Sequence, residues 1–300
     1  MGLLTGQVAL VTGAGGGIGR AIALAAAAEG AAVVANDYGV TVDGQEPSSG
    51  PGASVVAEIV AAGGQAVAHF GSVAAFEAGR ELTELALDTF GRLDIAITAH
   101  GILRERMVFN MAQDEWADVV SVHLTGTFNV VRFATAHMRQ RRTGSILLVT
   151  SSAGLEGSAG QANYAAAKMG IVGLTYATAL AMGKYNVSVN ALAPAADTRM
   201  TQRLDSRFFG DREAVSPVTA GALSVALCAP AARGITGQVY TAAGRKIARW
   251  SHPAEEQIAL GPAGWSAGAV LDTVTRQFAN PPLARFARQG LAEPAASPEH

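Results

Sequence analysis

The chain has 300 residues, of which 49% are hydrophobic and 15% charged, and its formal net charge is −2. That length suits one large domain or two small ones, with enough apolar content for a large core and too much for a disordered chain. A charge so close to zero leaves no electrostatic footprint for nucleic acid.

In chain order, short apolar runs alternate with longer helical ones. "QVALVT" (7–12) reads as a buried strand, and "IGRAIALAAAAEG" as a helix ended by Gly30. "AAVVAND" (31–37) is a second strand, followed by "YGVTVDGQEPSSGPG" (38–52), a loop rich in Gly, Pro and Ser. "ASVVAEIVAAGG" (53–64) is a helix closed by two glycines, and "QAVAHF" a third strand. Residues 74–90 carry apolar positions at helical spacing, and "LDIAITA" (93–99) is a strand. One long helical stretch is expected from about 112 to 139; the run "RQRR" (139–142) reads as its C-terminus meeting solvent. "SILLVT" (145–150) is a strand, 160–183 a helix, "NVSVNALAP" (186–194) a strand, 217–228 a helix and "GQVYTAAG" (237–244) the last strand.

Continuous apolar strands separated by helices predict βαβ units and a parallel sheet buried on both faces, with right-handed crossovers. The expected fold is therefore α/β: a Rossmann-type doubly wound parallel sheet of about seven strands, helices on both faces, in a single domain over 1–249. Residues 250–300 hold five prolines and a partial helical pattern near 266–279. They are expected to form a C-terminal extension packing on the domain or on a partner subunit. Cys228 is the single cysteine, which rules out an intrachain disulfide and leaves no support for a cysteine metal site, so no metal is expected. "MGLLTGQVALVTGAGG" lacks a basic flank and is short for a bilayer span, and "SPEH" is not a peroxisomal address. The expectation is a cytoplasmic protein with no membrane partner.

"VTGAGGGIG" joins the first strand to the first helix and spaces Gly13, Gly17 and Gly19 as G-x-x-x-G-x-G. Glycine permits a tight turn and close approach to a pyrophosphate, while the helix N-terminus offers N–H groups and partial positive charge. The strand-then-helix context is what this motif requires. Asp37 ends the second strand. Two readings stand: it accepts hydrogen bonds from the adenosine ribose and repels a 2′-phosphate, or it caps the strand. The loop after it holds no Arg or Lys before Arg80, so NAD is expected and NADP is less favoured.

In "GQANYAAAKMG" (160–170), Tyr164 and Lys168 are four residues apart. On a helix they share a face, and a cation beside a phenol is expected to lower its pKa from about 10, which suits a general acid/base. Ser151 follows the strand "SILLVT" at its C-terminal end, where ligands sit in open α/β sheets.

These features carry a family resemblance. "TGAGGGIG", the serine before "GQANYAAAK", and "VSVNALAP" resemble the short-chain dehydrogenases/reductases over roughly residues 5–245. Within that superfamily, "VVANDYG", "GILRERMVF", "VHLTGTFNV", "SSAGLEGSAGQANYAAAK", "APAADTRMTQ" and "GRKIARW" are similar to the (R)-3-hydroxyacyl-CoA dehydrogenase domains of peroxisomal multifunctional enzymes of type 2, the 17β-hydroxysteroid dehydrogenase type 4 group. The resemblance implies a catalytic set of Ser151, Tyr164, Lys168 and His123. It implies a dinucleotide site of Gly13, Gly17, Ile18, Gly19, Asp37, Ser72, Val73, Ala99, His100, Gly101, Tyr164, Lys168, Pro194 and Thr198. Tyr164 would exchange the proton, Lys168 would lower its pKa and hold the nicotinamide ribose, Ser151 would orient the substrate oxygen, and Thr198 would lie near the carboxamide. A homodimer or homotetramer pairing along the helix of Tyr164 is also implied.

The chain departs from the family pattern in several places. His123 stands where most members have a relay asparagine, a departure shared with the subfamily; it either supports the relay or is a hydrogen-bonded core histidine. "TAHG" (98–101) replaces "NNAG", so Ala99 cannot tie strands together and His100 either makes a new contact or crowds the nicotinamide side. Gly71 stands where an acidic residue often meets adenine, and Pro194–Ala195 replaces Pro–Gly. Arg104 and Arg106 either meet CoA phosphates or are solvated loop charges. Residues 199–216, with Phe208 and Phe209, are expected to form a substrate lid.

The resulting expectation is an NAD-dependent oxidoreductase acting on a secondary alcohol or ketone: a 3-hydroxyacyl-CoA, a steroid or another lipophilic alicyclic alcohol. The alternative is a non-catalytic dinucleotide-binding subunit or sensor on the same fold.

Overall fold

The structure is a computed structural model that describes residues 2–196, 216–260, 265–278 and 283. The chain divides into two compact units, Met1–Trp250 and Ser251–His300.

The first unit is built on one eight-stranded sheet. Its strands are β1 (Val8–Thr12), β2 (Ala32–Asn36), β3 (Ala66–His69), β4 (Ile95–Thr98), β5 (Gly144–Val149), β6 (Val187–Ala195), β7 (Val239–Ala243) and β8 (Lys246–Arg249). They lie in the order β3-β2-β1-β4-β5-β6-β7-β8, all neighbours parallel except the antiparallel β7–β8 pair. Chain order reverses between β1 and β4, so the C-terminal ends of these two strands flank a crevice suited to a ligand.

The period of two explains why the inner strands are mostly apolar on both faces. In β1, Ala9 and Val11 join one core cluster while Val8 and Leu10 join the other; in β5, Leu147 and Val149 separate from Ile146 and Leu148 in the same way. Helices α1 (Gly17–Ala28), α2 (Gly50–Ala61) and α8 (Val218–Cys228) supply Ile22, Ile59 and Val225 to the first cluster. Helices α3 (Ala78–Phe90), α5 (Gly126–Arg141) and α7 (Ala162–Met182) supply Leu82, Val130 and Ile171 to the second. Removing both strand faces from water is the main favourable contribution, at roughly 25 cal/mol per Å² of apolar surface.

Several differences from the sequence reading have local causes. The sheet has one strand more than the seven expected. Gly244, at φ +54°, turns the chain back and β8 pairs antiparallel with β7, but β8 is mostly exposed and so carries little hydrophobic signal. The expected helix over 112–139 is interrupted: α4 (Gln113–Val120) passes into a π turn (Ser121–Thr125) before α5 begins. The helix expected at 53–64 starts at Gly50, since Pro51 fits a first turn that needs no N–H from it. A short α6 (Ser152–Glu156) was not expected.

The helical run Ala162–Tyr185 is long and apolar enough to cross a membrane by length and composition alone. Here it packs against β6 and α4, with Asn163, Lys168 and Thr175 buried. In the second unit, α9 (Ala267–Asp272) is capped by Ser266, whose hydroxyl accepts from the Ala269 N–H at 3.1 Å, and runs into a second π turn (Thr273–Gln277).

Candidate active site

At the end of β1 the backbone turns through Gly13, whose φ is +67°. A Cβ there would lie 2.7 Å from the His100 backbone, and one at Gly19 would strike the Gly13 carbonyl. The turn therefore packs directly against helix α1 and against the chain leaving β4, which only glycine allows. Asp37, just past β2, accepts from the Gly15 N–H at 2.6 Å through Oδ2 and from the Gly39 N–H at 2.6 Å through Oδ1. It thus fastens the glycine turn and the loop after β2, and it lines a cavity of about 420 Å³.

Gly13, Gly17, Ile18, Gly19, Asp37, Ser72, Val73, Ala99, His100, Gly101, Tyr164, Lys168 and Pro194 all line this cavity, as does His123. Ser151 is not among the lining residues; its hydroxyl caps α6 by accepting from the Ala153 N–H at 3.2 Å and neighbours the Tyr164 phenol, favouring its ionised form. Thr198, Phe208, Phe209 and most of the expected lid lie outside the described residues.

Helix α7 places Tyr164 and Lys168 on the cavity wall. Lys168 is only 3% exposed; its Nζ donates to the Val149 carbonyl at 2.7 Å and lies 5.6 Å from the Tyr164 ring centre. Burial alone pulls the Lys168 ammonium down to about 7. The Tyr164 hydroxyl is pushed above its ordinary 10 by burial, with the Ser151 hydrogen bond opposing. This corrects the expected lowering by Lys168. The ammonium is engaged by a backbone carbonyl beneath the ring, so desolvation outweighs any charge effect at the phenol.

Two histidines complete the wall. His123 sits in the π turn, 5.0 Å from Tyr164 and edge-on at 85°. Its Nε2 contacts Ile102 at both O (2.8 Å) and N (3.1 Å), while Nδ1 is buried without a hydrogen-bond partner among the described residues. Burial first, and then the Lys168 charge, hold it well below 6.5, hence neutral. His100 Nδ1 lies 2.6 Å from the Thr12 hydroxyl. The strand tie that Ala99 cannot make is thus made by its neighbour His100, which also lines the cavity. Its Nε2 is buried facing the Val122 backbone without a well-formed hydrogen bond, and burial, then Lys168, pulls the ring down to about 3.

Both arginines are ion-paired, Arg104 with its side chain only 18% exposed and Arg106 as a solvated loop charge, 54% exposed. Arg104 pairs with Asp118 at 2.9 Å and Asp114 at 3.3 Å, and Arg106 with Glu115 at 2.9 Å.

The family model described as short chain dehydrogenase matches residues 7–207. The chain belongs to the short-chain dehydrogenase family. It is similar to peroxisomal multifunctional enzyme type 2 of Mus musculus, 47% identical over 66% of this chain; the match spans only 26% of that longer protein. It is 37% identical to hydroxyacyl-CoA dehydrogenase ChsB1 of Mycobacterium tuberculosis, over 92% of this chain and 90% of the relative. Among solved structures, a short chain dehydrogenase from Mycobacterium avium matches with a TM-score of 0.82 and 42% identity, covering 98% of each chain.

In this short-chain dehydrogenase several site residues were not singled out from sequence. Asn163 is fully buried, donates to the carbonyls of Arg104 (2.9 Å) and Glu115 (2.8 Å), and accepts from the Tyr164 N–H (2.8 Å). A polar residue on the first turn of an apolar helix, beside the candidate acid/base, was the available signal. Thr150 donates to the Lys168 carbonyl at 2.6 Å, and Asn36 to the Gly71 carbonyl at 2.9 Å. The loop after β2, read only as connection, contributes Tyr38, Gly39, Val40, Gly44 and Gln45 to the cavity.

Proposed function

We propose that the protein is an NAD-dependent oxidoreductase interconverting a secondary alcohol and its ketone, with 3-hydroxyacyl-CoA thioesters as the favoured substrate class. The observation that carries the chemistry is the grouping of Tyr164 with the neighbouring Ser151 hydroxyl and the buried Lys168 beneath its ring, in a cavity whose other end is the glycine turn and Asp37. The hydroxyacyl-CoA class is supported by the Mycobacterium tuberculosis relative, named as a hydroxyacyl-CoA dehydrogenase, which this chain matches over nearly its whole length. A steroid or other alicyclic alcohol is the second substrate class.

The cavity fits a dinucleotide. Gly13 and Gly19 allow the tight turn that brings the backbone N–H groups at the start of α1 to the cavity, and α1 begins without an acidic residue in its first turn. Asp37 at the β2 end, with Gly13, Gly17, Ile18 and Gly19, would hold the adenosine and pyrophosphate; Ser72, Val73, Ala99, His100, Gly101 and Pro194 would flank it. When bound, NAD supplies the hydride acceptor for the alcohol, or NADH the donor for the ketone.

The chain's own residues handle the proton. In alcohol oxidation the Tyr164 phenol takes the hydroxyl proton while passing its own on towards the Lys168 amine; in ketone reduction it gives its proton to the ketone oxygen and is reprotonated from the same side, and the Ser151 hydroxyl holds that oxygen beside the phenol. Lys168, near 7, is poised to exchange a proton with its surroundings at neutral pH. His123, neutral and edge-on to Tyr164 with a buried free nitrogen, lines the route by which that proton leaves. Exposed Leu180 and Met169 on α7 favour a homo-oligomer paired along that helix, which light scattering at micromolar concentration would test.

The deciding assay is absorbance at the NADH band with NAD and NADP against hydroxyacyl-CoAs, steroids and cyclic alcohols. Turnover with NAD and a hydroxyacyl-CoA supports the reading. Nucleotide binding without turnover of any substrate favours a non-catalytic subunit instead.

A further inference from the structure

Residues 38–49 leave β2 on one wall of the cavity and reach the other. At the near end, the Gly39 N–H donates to Asp37 Oδ1 at 2.6 Å and the Ser48 N–H donates to the Tyr38 carbonyl at 3.3 Å. The tip is a tight turn: the Thr41 N–H donates to the Gln45 carbonyl at 2.8 Å, and the Thr41 hydroxyl to the Asp43 carboxylate at 2.6 Å.

The far end docks on the chain leaving β4. The Leu103 N–H donates to the Val42 carbonyl at 2.8 Å. Gly44 sits against Ile102, where a Cβ would come within 3.2 Å of the isoleucine Cδ1. Arg104 Nε donates to the Asp43 carbonyl at 3.2 Å. The same guanidinium is held from helix α4 by Asp118 and Asp114, and its side chain is only 18% exposed. Tyr38, Gly44 and Arg104 all line the cavity that holds the glycine turn.

We propose that residues 38–49 are a strap closed across the dinucleotide cleft and that Arg104 is its latch, so that nucleotide is exchanged only when Arg104 releases the Asp43 carbonyl. This rests on reading the cleft as a dinucleotide site. Arg104 is then a positioning residue. It acts on how long the nucleotide stays through the strap, while Asp114 and Asp118 preset its planar fork for a contact that a point charge cannot make as well. A charge-assisted hydrogen bond of this kind governs dissociation more than association.

Stopped-flow displacement of NADH, followed by its fluorescence, tests the latch on wild type, Arg104→Met, Arg104→Lys and Arg106→Met. NADH release from Arg104→Met should be about tenfold faster, with association little changed. Arg104→Lys keeps a charge for Asp114 and Asp118 but not the fork that also spans to Asp43, and should release NADH nearly as fast. Arg106→Met loses the pair with Glu115 but no strap contact, and should release at the wild-type rate. Should Arg104→Met not fold, the lysine variant carries the comparison alone. Wild-type release from both Arg104 variants, even with a lowered Tm, overturns the latch and leaves Arg104 structural. Full rescue by lysine also overturns it, since charge alone would then suffice. If wild type binds no NADH, the dinucleotide reading itself fails, a result distinct from binding with unaltered release.

Discussion

The Thr12 hydroxyl and His100 Nδ1 lie 2.6 Å apart and join the end of β1 to the chain leaving β4, across the point where strand order reverses. The contact closes the floor of the cavity with a residue that titrates in free solution near neutrality.

Burial of that histidine, and then the nearby Lys168 charge, make stability depend on pH. His100 has a folded pKa of about 3, below an unfolded value near 6.5, so the unfolded chain binds the extra proton first. Stability is complete above about pH 6.5 and declines as pH falls from there toward 3, by up to about 1.4 kcal/mol per pH unit. His123 is shifted in the same direction and adds to the slope. Urea midpoints at pH 7.5, 6.0 and 5.0 should fall more steeply for wild type than for His100→Asn; equal slopes would contradict the assignment.

Tyr164→Phe removes the proton-transferring oxygen and leaves the ring. Turnover should drop by about 10²- to 10⁴-fold, the range of general acid–base contributions, while NADH affinity changes little. Ser151→Ala should lower kcat by a smaller factor. Steady-state kinetics together with a fluorescence titration separate these effects, and full activity in the phenylalanine variant would sink the acid/base role.

Lys168 trades stability for chemistry. Its folded pKa of about 7 lies below the ordinary 10.5, so its contribution to stability is undiminished above about pH 10.5 and declines as pH falls toward 7. Below 7 both states are protonated and no further loss accrues. Lys168→Met should therefore be inactive yet more stable than wild type at pH 7, by a few kcal/mol at most, since the loss accrues at about 1.4 kcal/mol per pH unit. Guanidinium unfolding at pH 7 and 9.5 checks this; the variant should lose the wild-type pH dependence over that interval.

Asn163→Ala leaves the carbonyls of Arg104 and Glu115 buried without their donor. A loss of about 2–3 kcal/mol is expected for such unsatisfied groups. Thermal unfolding would register it as a Tm several degrees lower, and an unchanged Tm would show that water or a rearranged loop satisfies both.

Much of this was legible in the sequence, for a physical reason. Strands buried on both faces are apolar at most positions, so β1, β5 and β6 stand out, and a glycine turn between strand and helix has few structural uses. Tyr164 and Lys168 were findable because helical spacing fixes which side chains are neighbours. What spacing does not carry is burial. The direction in which the Tyr164 pKa moves depends on how deeply the phenol is desolvated and on where the Lys168 amine points, and both come from tertiary packing. The same holds for His100, whose role depends on a partner on another strand, and for residues 38–49, whose Gly, Pro and Ser content signals a turn but not the wall it docks on. β8 escaped notice because a mostly exposed edge strand has no apolar run.

The π turn at Ser121–Thr125 has one further consequence. A π turn is a helix carrying one residue too many, and each α-helical residue advances about 100° around the axis. The segments before and after it are therefore out of phase: a single wheel drawn over 113–141 cannot describe both faces. Deleting one residue between 121 and 125 would restore a regular helix, but would swing His123 away from Ile102 and Tyr164 or displace the stripe of α5 that carries Val130, Ala134 and Met138 into the core. Regular helix geometry and the placement of His123 are mutually exclusive here, and the fold has kept the second.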